Sequence, residues 1–172
     1  MPIKNLVFNN IDLLLMVYIF FARILELLVS KKNTKMLIQK GAKEYFPFHY
    51  NFIVLFHCIL IIYFFIKCFE NDTINLFYFI IFVFLQFARF KVLNDLGQYW
   101  TTRIIVLDSK KLIKTGMYKY FNHPNYLVVL LEVISLCLFF NDYNALFFFT
   151  LVKVVLLFIR IYYEEKANKN RF

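Results

Sequence analysis

The residues most able to do chemistry fall in two stretches of the C-terminal half. His123-Pro124-Asn125-Tyr126 opens an apolar run, with Thr115-Gly116 supplying the turn before it. Proline suits the first turn of a helix, where a missing N–H costs nothing. Asn122 and His123 therefore fall at capping positions, at the positive end of the helix dipole, where an anionic ligand group is favoured. In the last apolar run Lys153, Leu157, Arg160 and Glu164 are spaced four, three and four residues apart, so they share one stripe of a helix, and Glu165 follows directly. Glu132 is a lone carboxylate in the run begun by Tyr126. Cations and carboxylates at the ends of neighbouring helices make a pocket for a zwitterionic or cationic ligand. His123 and Glu132 are the candidates for taking a proton there.

Other ionisable groups sit where hydrocarbon should disfavour them, at a cost of ~2.5–3.5 kcal/mol each at mid-helix. Arg23 and Glu26, three apart, can pair on one helix face. Gln86 and Arg89 form a similar couple. His49 and His57, eight apart, share a face, and each reads either as a hydrogen-bonded packing residue or as part of a site. Cys58, Cys68 and Cys137 match neither a zinc nor a disulfide pattern, and no metal site is expected.

These residues must be positioned by membrane helices. The chain has 172 residues, 62% of them apolar and 22% aromatic, too much for one water-facing core of that length, and it reads as one membrane domain over 1–172. The apolar residues come in runs near the ~20 residues that cross a bilayer, without the alternation of barrel strands. Spans are expected at 6–29, 48–69, 74–93, 126–140 and 145–163, an all-α polytopic bundle with the site built from 96–126 and 153–165. The first run contains Arg23 and Glu26 and lacks a cleavage site, so it reads as a retained anchor.

The net charge of +9 is concentrated in the loop after the first span, in 89–122 and in the tail, three regions that share one side of a five-span chain. Glu70, Asp72 and Asp142 mark the other side. This is the pattern of an orientation signal, not of nucleic-acid binding, and the positive-inside rule puts the N-terminus out and the C-terminus in. A water-soluble cofactor would then meet the site from the cytoplasm, and a lipophilic partner from the bilayer. Trp100, the sole Trp, suits the interface at that boundary.

His123-Pro124-Asn125-Tyr126 with Arg160 and Glu164-Glu165 resembles the isoprenylcysteine carboxyl methyltransferase family. The block from Leu96 to Val106, with Arg23/Glu26 and His49-Tyr50 earlier, looks like a small bacterial branch that accompanies type III polyketide synthases and methylates alkylpyrones. The resemblance implies a membrane enzyme that uses S-adenosylmethionine without a Rossmann fold. The wide separation of Gly41, Gly97 and Gly116 agrees, since no Gly-rich phosphate turn can form. It assigns His123, Tyr126, Arg160, Glu164 and Glu165 to the cofactor and places the protein in a bacterial cell membrane. Two departures stand out. Asn122 occupies the position of the family's Arg, so its charge would have to come from Lys119 or Arg103, and Leu127 replaces a small residue.

The expected reaction is methylation of a carboxylate, acidic enol or phenol on a lipophilic acceptor, with His123 or Glu132 available for a less acidic hydroxyl and Arg103 for charge. An NADPH-dependent membrane reductase similar to the sterol reductases, a phospholipid N-methyltransferase and a non-catalytic membrane protein remain alternatives.

Overall fold

Five apolar runs become five helices. The computed structural model describes residues 10–70 and 73–169. In chain order these form α1 (Ile11–Gln39), the short strand β1 (Lys43–Tyr45), α2 (Phe48–Lys67), α3 (Leu76–Leu96), β2 (Ile104–Val106), α4 (Pro124–Phe139) and α5 (Tyr143–Asn168). All but α4 are long and apolar enough to cross a membrane. The 16 residues of α4 reach only about 24 Å, short of a ~30 Å hydrocarbon layer. The architecture is an all-α membrane bundle, and the one sheet among the described residues is the antiparallel pair β1–β2, with Lys43 opposite Val106 and Tyr45 opposite Ile104.

Two helices outrun the spans expected from hydropathy. Instead of ending near Val29, α1 continues through Lys31, Lys32 and Lys35 to Gln39. Lysine is a good helix former, and no breaker occurs before Gly41, whose φ of 88° turns the chain. Likewise α5 passes Tyr163 and runs through Glu164, Glu165 and Lys166 to Asn168. Hydropathy locates the part of a helix that lies in lipid, whereas backbone hydrogen bonding carries it beyond. Residues 6–9 of the first expected span, Asp72 and Arg171 lie outside the described residues.

At one end of the bundle the connections are tight. The Asn75 carbonyl oxygen of the side chain accepts from Phe77 N at 3.1 Å, and Asn75 N donates to Phe139 O at 2.8 Å, tying the start of α3 to the end of α4. Asp142 caps α5 by accepting from Ala145 N at 2.9 Å and also accepts from the Tyr63 hydroxyl at 2.7 Å. Beneath lies an aromatic core that includes fully buried Phe64 and Phe139, with Phe64 stacked on Phe140 at 4.9 Å.

The other end is built from loops held by polar side chains. The extension of α1 carries buried Ser30 and Asn33. Asn33 Nδ2 donates to Trp100 O at 2.9 Å, and Thr102 N donates to Ser30 Oγ at 2.8 Å. Asp95, at the end of α3, accepts from Met117 N at 2.8 Å. A Cβ on Gly116 (φ 59°) would overlap the Asp95 carboxylate, so glycine is required where the 98–122 segment closes on α3.

Mid-bundle, four charges join three helices. Arg23 donates to Glu26 at 2.8 Å and to Glu132 at 2.6 Å, and Arg89 bonds Glu26 and, at 3.2 Å, Glu132. Gln86 Nε2 donates to Glu132 at 3.0 Å. Two guanidiniums and two carboxylates balance, with every carboxylate oxygen accepting a hydrogen bond.

Candidate active site

The start of α4 sits under the loop end of the bundle as the proline pattern predicts. Pro124 occupies the first turn, and His123 is the N-cap residue without a side-chain capping bond. Its ring is free to stack on Tyr126, centroids 5.2 Å apart and planes within 6°. One turn of α5 faces these rings. Arg160 Nε donates to the Tyr126 hydroxyl at 2.7 Å, and that hydroxyl donates in turn to Glu164. Arg160 Nη1 donates to Thr102 O at 2.7 Å, anchoring the loop. Glu165 lies 3.7 Å from His123 Nε2. Arg160 thus orients Glu164 through the phenol between them.

Around this chain of contacts is a cavity of about 490 Å³. His123, Tyr126, Arg160, Glu164 and Glu165 all line it, as do Asn122, Arg103 and Lys119. Its charge is split: Glu164 and Glu165 stand on α5, while Arg103, Lys110, Lys111, Lys114 and Lys119 come from the loop. Tyr118 also lines it, and burial, followed by the Glu164 and Asp95 carboxylates, pushes its phenol above the usual range, so it stays a neutral donor.

Two expected site residues are otherwise engaged. Glu132, expected as a possible base, is 2% exposed inside the mid-bundle quartet and lines neither this cavity nor its neighbour. Six residues at about 100° each leave it about 120° round α4 from Tyr126, facing Arg23 and Arg89, which with Gln86 occupy its oxygens. Arg103 does reach the cavity wall, but it is paired with Glu44 at 2.9 Å and stacked 4.9 Å from the Tyr50 ring. Lys119, one turn before His123, keeps no carboxylate within ion-pair distance among the described residues, with its Nζ 5.8 Å from the Tyr120 ring. His49 turns Nδ1 to the Phe46 carbonyl and packs against Tyr163, and its Nε2 is buried without a hydrogen-bond partner.

A second cavity, about 190 Å³, adjoins the first deeper in the bundle. Trp100, Thr101, Asn125, Tyr126 and Arg160 line both. Asn125 is a residue that motif reading passes over as the variable position between Pro124 and Tyr126. Its Oδ1 is buried without a hydrogen-bond partner and stands on the shared wall. An unsatisfied buried acceptor is costly, which marks this atom for a ligand donor.

Residues 76–169, from the first residue of α3 to just past the end of α5, match the Isoprenylcysteine carboxyl methyltransferase (ICMT) family. The chain is also 32% identical over 161 residues to the uncharacterized protein YpbQ of Bacillus subtilis, covering 90% of this chain and 94% of that protein. An uncharacterized protein of Haemophilus influenzae is 29% identical over 159 residues, covering 87% of this chain and 90% of its own length. The matched segment supplies α3, α4 and α5 and every one of the five residues from His123 to Glu165 gathered at the larger cavity. The chain therefore belongs to the isoprenylcysteine carboxyl methyltransferase family and is an integral membrane methyltransferase.

Proposed function

We propose that the protein transfers a methyl group from S-adenosylmethionine to an acidic oxygen of a lipophilic acceptor. The observation that carries this reading is the pair of cavities with a common wall. The larger lies among loops at the end of the bundle, where a water-soluble donor can enter. The smaller lies between α1, α2 and α5, where apolar residues stand beside Arg23, Glu26, Arg89 and Lys153.

The larger cavity fits the donor. Its volume falls within the usual ~300–1,000 Å³ of small-molecule sites. Glu164 and Glu165 suit the ammonium or the ribose hydroxyls, and Arg160 or Lys119 suits the carboxylate. Tyr99, Trp100 and Tyr118 offer aromatic faces for a purine, and Asn125 Oδ1 lacks a donor. S-adenosylmethionine supplies a methyl carbon already activated by its sulfonium.

What remains for the chain is positioning and exclusion of water, which together can supply ~7–11 kcal/mol. The Arg160–Tyr126–Glu164 chain fixes one wall, and the Asp95–Gly116 closure fixes the loop. A carboxylate or acidic enol arrives ionised and needs no base. For a less acidic hydroxyl, His123 can take the proton and pass it toward Glu165 and solvent. An alkylpyrone or an isoprenylcysteine-like compound would have suitable chemistry. The cluster of basic residues beside the cavity supports a cytoplasmic site in a bacterial cell membrane.

Purified protein titrated with S-adenosylmethionine, its demethylated product and NADPH tests the reading. Binding of the first two, lost in Glu164→Gln, is expected. The five loop cations would also suit the phosphates of NADPH, so binding of NADPH alone would move the assignment to a reductase. Transfer of a labelled methyl group into fractionated lipid extracts then identifies the acceptor.

A further inference from the structure

Deep in the smaller cavity the bundle holds a lysine without a carboxylate partner among the described residues. Lys153, near the middle of α5, is 2% exposed, and its Nζ lies 3.1 Å from Nε2 of His57 on α2. The face of Phe56 is 5.2 Å away. Among the described residues no carboxylate comes within ion-pair distance of Lys153, whereas the nearby guanidiniums of Arg23 and Arg89 are fully matched by Glu26 and Glu132. An intramembrane Lys that faces a cavity and lacks an anion marks a ligand path.

Lys153 and His57 both line that cavity. Its outer edge is formed by Phe20, Ile24 and Leu27 of α1 and by Cys58 of α2, all exposed on the membrane face of the bundle. Seven residues of α5, about 10 Å of helix axis, separate Lys153 from Arg160 on the shared wall. A ligand entering between α1 and α2 therefore meets apolar surface first and, inside, the Lys153 amine beside Arg23, Glu26 and Arg89, which also line the cavity but are already paired among themselves and with Glu132. An acidic oxygen would accept from Lys153 Nζ and give the amine the acidic partner that the bundle does not, and the apolar remainder would lie along α1 toward lipid. A neutral ester offers no counter-charge, and an amine adds like charge.

We propose that Lys153 and His57 are the specificity-determining pair of this cavity, selecting a lipophilic acid over its neutral methyl ester or ether. The inference rests on the reading of the smaller cavity as the acceptor site and adds that the pair rejects a ligand whose acidic oxygen has been methylated, which favours product release.

The test uses the full chain in phosphatidylcholine nanodiscs, where the emission of Trp100, the sole Trp, reports from the cavity wall. Dodecanoic acid, methyl dodecanoate and dodecylamine are titrated at mildly alkaline pH, and S-adenosylmethionine affinity is measured separately by calorimetry. The acid should bind about tenfold tighter than the ester, the scale of one charge-assisted hydrogen bond, with the amine weakest. Lys153→Met should reduce that preference to about twofold or less and Lys153→Arg should retain it, with S-adenosylmethionine affinity unchanged in both. Should Lys153→Met not fold, His57→Phe takes its place, with a weakened preference expected. Equal binding of acid and ester by the natural chain, or a preference surviving in Lys153→Met, overturns the proposal. Acid selectivity in a chain that fails to bind S-adenosylmethionine would instead sink the methyl-donor reading and leave the pair's selectivity standing.

Discussion

Two clusters in this molecule are made of the same residue types and do different things. Arg23, Glu26, Arg89 and Glu132 close on one another, each charge meeting its opposite within the bundle. Arg160, Tyr126 and Glu164 form a chain, in which the phenol joins a guanidinium to a carboxylate and both ends border a cavity. In the closed cluster every carboxylate oxygen already accepts from a neighbour, so although Arg23, Glu26 and Arg89 also border the smaller cavity, its worth lies in holding α1, α3 and α4 in register. In the open one the capacity is left facing space, as a binding site requires. Buried charge identifies neither role until the partners are known.

Removing one member of the closed cluster should have the largest effect on stability. Glu132→Ala leaves two guanidiniums short of an anion and should cost ~3–5 kcal/mol, seen as a large loss of resistance to denaturant in detergent. S-adenosylmethionine affinity of the surviving folded fraction should hardly change. The reverse result, intact stability with lost affinity, would break the comparison.

The open cluster should respond in the opposite sense. Tyr126→Phe removes the hydroxyl joining Arg160 to Glu164 and should lower kcat/KM by about tenfold or more, from loss of about 1.5–3 kcal/mol of charge-assisted bonding. Melting temperature should shift far less than in Glu132→Ala. Kinetics at varied donor concentration, beside a melting curve, checks both.

Gly116→Ala tests the closure that shapes the cavity. With φ at 59° and Asp95 where the new Cβ would lie, the change should cost about 1–2 kcal/mol and loosen the loop. Faster proteolysis within 98–122 and weaker donor binding would show it. A silent Gly116→Ala would mean that the loop is not held by Asp95.

The smallest effect belongs to the tight end, at Asp142. Burial opposes its ionisation, but Ala145 N–H, Tyr63 and Lys67 outweigh it and hold the carboxyl below the usual range. A lowered folded-state pKa means that ionised Asp142 stabilises the fold at neutral pH. That stability is lost as pH falls from the ordinary carboxylate range through the lowered value. Asp142→Asn should therefore lower the melting temperature at neutral pH by an amount reflecting about 1 kcal/mol of capping, and the gap to the natural chain should narrow in acid.

Much of the fold was legible because apolar runs near the length of a bilayer admit few structures. Pro124 announced the start of α4, and the stripe from Lys153 to Glu164 announced one face of α5. The helix ends were less legible: α1 continues to Gln39 on polar residues that hydropathy reads as loop, and there Ser30 and Asn33 grip the segment that roofs the cavity. At the site, the periodicity of α4 grouped Glu132 with Tyr126 only loosely. The sequence could not say that Arg23 and Arg89, far away in the chain, would claim its oxygens.

The residues by themselves determined that this chain spans a membrane, that its basic loops gather on one side and that His123, Tyr126, Arg160, Glu164 and Glu165 lie in the segment that matches the family. Those properties follow from local periodicity, transfer energy and motif spacing, all of which are written along one dimension. Which charges cancel and which stay open was decided only by tertiary packing. Hydrogen bonds and ion pairs act over a few ångströms, and only the packed helices brought Glu132 to Arg23, Tyr126 between Arg160 and Glu164, and Lys153 to a histidine rather than a carboxylate.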